Sequence, residues 1–278
     1  MRDDESLSVT RLTRYSTACA VPTSREDRLA VEEPLEITLQ APGCKPFTLA
    51  ITMRTPGDDR ALAAGFLFTE GLVKHKNEIA CQQQDADSPR PSNTQVITLA
   101  KPLAIAPEQL HRHFFANSAC GVCGKTAMQA LELRHRPQLS SKLQTTREVL
   151  QGLPDTLRTQ QQQFAQSGGV HASALFSATG ELLLLKEDVG RHNALDKLIG
   201  QLLLEDHLPL ARDAILLVSG RSSFELVQKA LMADIPMLAA IGAPTSLACE
   251  LAARHDMTLI GFLRSESFNV YTGPDRLS

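Results

Sequence analysis

The chain has 278 residues, enough to bury the core of one large domain or of two smaller ones. Its 43% apolar and 21% charged residues are ordinary for a globular protein, and a net charge of −3 lacks the basic excess expected of a nucleic-acid surface. The polar start MRDDESLSVT does not read as a secretory signal and no run approaches the roughly 18 apolar residues of a membrane span, so a cytoplasmic location with no membrane partner is expected.

Residues 1–30 mix charges with Ser, Thr and Pro without periodicity, which predicts a mobile arm. LEITLQ and FTLAITMR then place Leu35, Ile37, Leu39 and Phe47, Leu49, Ile51, Met53 on alternate positions around the turn APGCKP, the pattern of paired strands. TPGDDRALAAGFLFTEGLV predicts a helix that stops near Gly71, and QVITLA another strand after the loop DADSPRPSN. Residues 31–136 thus read as a smaller α+β region ending in a Cys-Gly-Val-Cys-Gly loop. From 137 to 169 the chain turns polar, with Pro154 expected to start a short solvated helix and Gly168-Gly169 to end one.

The remainder of 137–278 reads as an α/β domain. HASALFSATGELLLL predicts two strands around Thr179-Gly180, and NALDKLIGQLLL a helix with Leu195, Leu198, Ile199, Leu202 and Leu203 on one face. The series AILLV, SFELVQKALMA, MLAAI, SLACELAARH, TLIGFL alternates apolar strands with helices, which predicts a mainly parallel sheet with helices on both faces. Parallel strands put SGRSS (219–223), GAPTS (242–246) and RSESF (264–268) on one rim, where open α/β sheets bind ligands. The serines and threonines there suit plain N-caps. Arg221, Arg264 and the helix N-termini suit a phosphate-bearing ligand equally well.

Cys120 and Cys123 in NSACGVCGKT have the spacing of zinc ligands, of a redox pair, or of a nucleophile with its companion. Zinc needs four ligands, and only His111 and His113 stand nearby. A deaminase site would need a glutamate two residues after a histidine, but His171 is followed by Ala172 and Ser173. A phosphate loop would need glycine at Ala119. Glycines around the pair favour an exposed, pliable loop, and Lys125 would help hold a thiolate. Redox chemistry and nucleophilic transfer stay open on spacing alone. Cys19, Cys44, Cys81 and Cys249 read as ordinary thiols.

SACGVCGKT, GGVHASALF, KEDVGRHNALDKLIG, VSGRSSFELVQKA and GFLRSESFNVYTG together resemble the FdhD family, sulfurtransferases required for formate dehydrogenase activity, from about Glu32 to the C-terminus. The resemblance implies a cytidine-deaminase-like fold without zinc chemistry, a homodimer, and no intrinsic metal. It implies sulfur taken as persulfide on Cys120 from a cysteine desulfurase, with Cys123 as companion. The recipient is a molybdenum (or tungsten) bis-guanine-dinucleotide cofactor, a cargo bound before its insertion into formate dehydrogenase. Guanine-nucleotide binding falls on Phe262, Leu263, Arg264, Ser265, Glu266 and Ser267. Family members often carry glycine and a second basic residue in that stretch, so Glu266 is expected to face the base or solvent rather than phosphate. In EDVGRHNALDK, Asp188 and Gly190 are expected to build the turn, and Arg191 or His192 to meet the ligand.

Overall fold

The computed structural model describes residues 6–17, 19–103, 110, 143–208 and 213–278. Among the described residues the chain opens with two long antiparallel strands, β1 (Leu7–Ser16) and β2 (Cys19–Ala30), in the stretch whose lack of periodicity predicts a mobile arm. Both faces of this hairpin are wet, with Val9, Tyr15 and Val21 all largely exposed, so no alternation marks it in the sequence. Its residues Val9, Thr10, Thr13, Tyr15, Val21 and Thr23 still carry strand propensity. The hairpin base is tied down by Val31 N–H to the Ser6 carbonyl (2.8 Å) and by Arg28 to Gln166.

β3 (Glu33–Ala41) and β4 (Cys44–Arg54) form the expected pair, turned at Gly43 with φ 78°. With β5 (Ile79–Gln83) and β6 (Thr94–Leu99) they make a four-stranded sheet in the order β4-β3-β6-β5. The β3–β4 register shifts between Ile37 and Thr38, leaving Leu49 as an extra residue. That bulge inverts the pleat. Leu49 is buried but Ile51 and Met53 are exposed, against expectation, and Thr52 and Arg54 turn inward instead. Helix α1 (Asp59–Thr69) follows and ends before Gly71, as its pattern predicts.

The larger sheet has six strands, β7 (His171–Ser177), β8 (Leu182–Asp188), β9 (Ala214–Val218), β10 (Met237–Ala240), β11 (Thr258–Gly261) and β12 (Asn269–Thr272), in the order β12-β11-β10-β9-β7-β8. It is mixed, not mainly parallel: β9, β10 and β11 run parallel while β7, β8 and β12 pair antiparallel. The reason is chain economy: β7 and β8 are joined by a tight turn at Gly180 (φ 85°), and a tight turn permits only antiparallel neighbours. Helix α2 (Arg147–Gln160), capped by Thr146, packs Leu150, Leu153 and Leu157 against Ala174, Phe176, Ile215 and Leu217 on one face. Pro154 lies inside this helix rather than at its start. A short α3 (Gln162–Ser167) ends at Gly168 in the left-handed region.

The opposite face is covered by α4 (Arg191–Leu204), α5 (Phe224–Met232) and α6 (Ser246–Arg254), which meet Leu175, Leu216, Val218 and Leu238. α1 from the first half joins this same core. It crosses α4 so closely that a Cβ on Gly65 would lie 1.9 Å from the Asp196 carbonyl oxygen, and one on Gly200 1.8 Å from that of Ala61. Only glycine permits backbones to touch there. Among the described residues, both halves therefore contribute to one hydrophobic core.

Candidate functional site

The mixed topology builds the site. β9, β10 and β11 end on one rim. β7 runs the other way, which brings its first residue, His171, to that rim. β8 reverses again, so Asp188 pairs with His171 and residues 189–192 leave from the same edge. A fully parallel sheet would not have gathered these segments with the loops 219–223 and 242–246.

Main-chain hydrogen bonds lock the loops together: Gly242 N–H to the Gly220 carbonyl (2.9 Å), Ser222 N–H to that of Ala243 (3.2 Å) and Phe262 N–H to that of Gly242 (3.0 Å). Thr245 is a true cap, its hydroxyl accepting from Ala248 N–H at 3.3 Å. Ser223 stands at the N-cap of α5 but its hydroxyl meets His192 Nε2 instead, at 3.2 Å. Ser222 is fully buried, and its hydroxyl has no partner among the described residues.

Arg191 is the first residue of α4, and its shielded Nε has no hydrogen-bond partner among the described residues. Neither its guanidinium nor that of exposed Arg221 pairs with a carboxylate among the described residues. Two guanidiniums without a carboxylate partner among the described residues, beside two helix N-termini, give this rim a positive face suited to an anion.

Beneath it, Asp188 fixes the EDVGRHN turn. Its carboxylate, fully buried, accepts from Gly190 N–H (2.8 Å), Thr55 N–H (3.1 Å) and Asn193 Nδ2 (3.2 Å), and pairs with Lys197 Nζ at 2.8 Å. Asn193 also donates to the Met53 carbonyl (2.7 Å), and Lys197 to that of Thr55 (2.8 Å). Asp188 and Asn193 thus tie the turn to the end of β4, and α4 has no side-chain cap of its own because its N-cap is Gly190. The pair joins Asp188, the last residue of β8, to Lys197 in α4, and nothing local in the sequence marks the two as partners.

His192 is held neutral. Burial pushes its pKa down to about 4, Arg191, Lys229 and His171 add to the effect, and Glu225, 3.5 Å away, opposes it. An unfolded histidine near 6.5 binds a proton that the folded ring refuses, so this contribution is present above that pH and is lost as pH falls toward 4. The loss is on the order of 3 kcal/mol. His192→Gln should flatten the decline of stability across that window in urea unfolding, and an unchanged slope would contradict the buried neutral ring.

The stretch 262–267 follows β11 onto the rim. Phe262 is 44% exposed with φ 54°. Leu263 is fully buried in the core under α2, so its side chain anchors the stretch and cannot touch a ligand on the rim. Arg264 donates from one nitrogen to the carbonyls of Ile241 (2.7 Å) and Leu263 (2.8 Å), and its N–H meets the Ser267 carbonyl at 2.9 Å. Ser265, Glu266 and Ser267 are exposed. A groove of about 1320 Å³ lies apart from the rim, and two of its ion pairs close on themselves, Arg54 with Asp59 and Lys186 with Asp58, both at 2.8 Å. Cys120 and Cys123 lie outside the described residues. Cys44, Cys81 and Cys249 are free thiols.

The model of the FdhD/NarQ family matches residues 30–278. Proteins named sulfur carrier protein FdhD are similar along almost the whole chain. That of Streptomyces coelicolor is 48% identical over 92% of this chain and 90% of its own, and that of Mycobacterium tuberculosis 44% over 96% and 98%. That of Saccharolobus solfataricus is 45% identical over 90% and 91%. A crystal structure assigned as a formate dehydrogenase accessory protein from Desulfotalea psychrophila superposes with a TM-score of 0.73, covering 98% of this chain and 99% of that one. At 22% identity that likeness carries the fold.

Proposed function

Since this chain belongs to the FdhD/NarQ family, we propose that it is a sulfur carrier serving formate dehydrogenase, loaded as a persulfide on Cys120 by a cysteine desulfurase. The Cys120 thiolate attacks the outer sulfur of the donor persulfide. A new S–S bond forms on Cys120, the donor's S–S bond breaks, and the donor cysteine leaves as thiolate, with no net change of redox state. Release as sulfide takes up two electrons. Cys123 supplies them by attacking the Cys120 sulfur, which frees hydrosulfide and leaves a Cys120–Cys123 disulfide.

The recipient in this reading is a molybdenum or tungsten bis-guanine-dinucleotide cofactor held on the rim by its guanine-nucleotide part, in a cytoplasmic homodimer. The unpaired guanidiniums of Arg191 and Arg221 are the observation that carries the nucleotide site. Exposed Glu266, with no partner among the described residues, is free to accept from a guanine edge. A charge-assisted contact to phosphate is worth about 1.5 to 3 kcal/mol. Arg191→Ala and Arg221→Ala should therefore each weaken GDP binding by roughly ten- to a hundredfold, with a salt dependence smaller than the parent's. Calorimetry reads both, and parental affinity in the two variants would remove the ligand from this rim.

A further inference from the structure

Resting on that nucleotide site, we propose that His171 is a third ligand-contacting residue of the rim, donating from its imidazole to the phosphate that Arg191 holds. Neither the family stretch 262–267 nor the helix N-termini include it. It opens β7, beside the carboxyl ends of its neighbours β8 and β9, and reaches the rim only because β7 runs antiparallel to β9. The strand end is fixed there by Ala172 N–H to Ser219 Oγ and by Ser219 N–H to the Ala172 carbonyl, both 2.9 Å.

The side chain stands beside the Gly220 backbone. A Cβ on Gly220 would lie 3.4 Å from His171 Nδ1 and 3.8 Å from Arg191 Cδ, so the ring and the Arg191 stem flank the same peptide. His171 is only partly buried, and neither ring nitrogen has a hydrogen-bond partner among the described residues. The ring nitrogens are not among the shielded polar atoms, so the polar edge of the ring is open at the rim and can be reached by a ligand. His192 next to it shows the contrast: it already meets Ser223.

The charges around the ring decide what it does on binding. Arg191 faces it from α4, Asp188 from β8, and His192 lies near it at the mouth of α4. Burial first, and then the Arg191 charge, hold His171 below the ordinary histidine range, with Asp188 opposing. Asp188 opposes weakly because its carboxylate is committed to Lys197, Thr55, Gly190 and Asn193. A phosphate seated on Arg191 cancels the repulsion and adds an acceptor. The bound ring then favours the protonated form, and binding draws a fraction of a proton onto His171 near pH 6.5.

The test is calorimetry of GDP binding to the full chain at pH 6.5 in two buffers of different ionisation enthalpy. The nucleotide's own phosphate protonation cancels between parent and variant. His171→Ala should bind about tenfold more weakly, the loss of one hydrogen bond to a charged group. His171→Gln, which can donate but not titrate, should keep part of the affinity and lose the linked proton uptake. Thermal melts of both variants establish that they are folded. Folded variants with parental affinity and parental proton uptake would overturn the role of His171. If those variants bind normally while Arg221→Ala binds poorly, the nucleotide site stands and His171 alone is wrong. If the parent itself binds no GDP, both fail together.

Discussion

Cys120→Ala is expected to take up no sulfur from a cysteine desulfurase and to leave formate dehydrogenase inactive. Intact-mass measurement after incubation with desulfurase and cysteine should show added sulfane sulfur on the parent and none on the variant. The effect is complete rather than graded at the position that loads, because a persulfide needs a thiolate and alanine offers none. Cys123→Ser separates the two chemical steps. It should load normally but release hydrosulfide only when an external thiol supplies the two electrons. A Cys120→Ala protein that still activates the dehydrogenase would remove the carrier chemistry and leave a protein that only binds and delivers the cofactor. Loading on Cys123 alone would exchange the roles of the pair.

The site was legible where chemistry is written in neighbouring residues and obscure where topology assembles it. Arg221 could be placed on a rim because AILLV, MLAAI and TLIGFL each read as a buried strand followed by a helix or loop, and those strands are parallel as expected. His171 could not, since its place depends on whether β7 runs with or against β9. That choice is made by the turn at Gly180 and by pairing with a strand some forty residues away, neither of which periodicity reports. The opening hairpin escaped for a different reason. Strands are recognised by a buried face, and β1 and β2 have none to alternate against. The β4 bulge shows the finer limit: one extra residue at Leu49 turns Ile51 and Met53 out and Thr52 in, where Thr52 meets Asn193 at 3.1 Å and helps fix the EDVGRHN turn.

Lys229→Met should cost about 3 to 5 kcal/mol of stability, the usual result of removing one partner from a buried ion pair. Lys229 is, after Lys197, a second fully buried lysine behind the rim. Its ammonium lies 2.9 Å from Asp196 Oδ2 and 2.9 Å from the Thr69 hydroxyl, with Glu70 and Glu225 each at 3.8 Å and the Phe66 ring centre at 5.6 Å. Burial works against the charged amine, and the carboxylates of Asp196, Glu70 and Glu225 more than offset it, so Lys229 stays protonated above the usual lysine range. Methionine fills much of the same space but leaves Asp196, itself almost fully buried, with only the Thr69 hydroxyl. Replacing both partners, Lys229→Met with Asp196→Leu, should recover most of the loss, because no charge is then stranded. The pair also joins α5, which begins at Ser223, to α4, which begins at Arg191, and both to the end of α1. Its removal should therefore weaken GDP binding in protein that is still folded, by letting the two rim helices shift against each other. Urea unfolding of the single and double variants gives the coupling directly. A single variant that loses less than about 1 kcal/mol, or a double variant that loses more than either single, would show that the pair does not hold these helices in place.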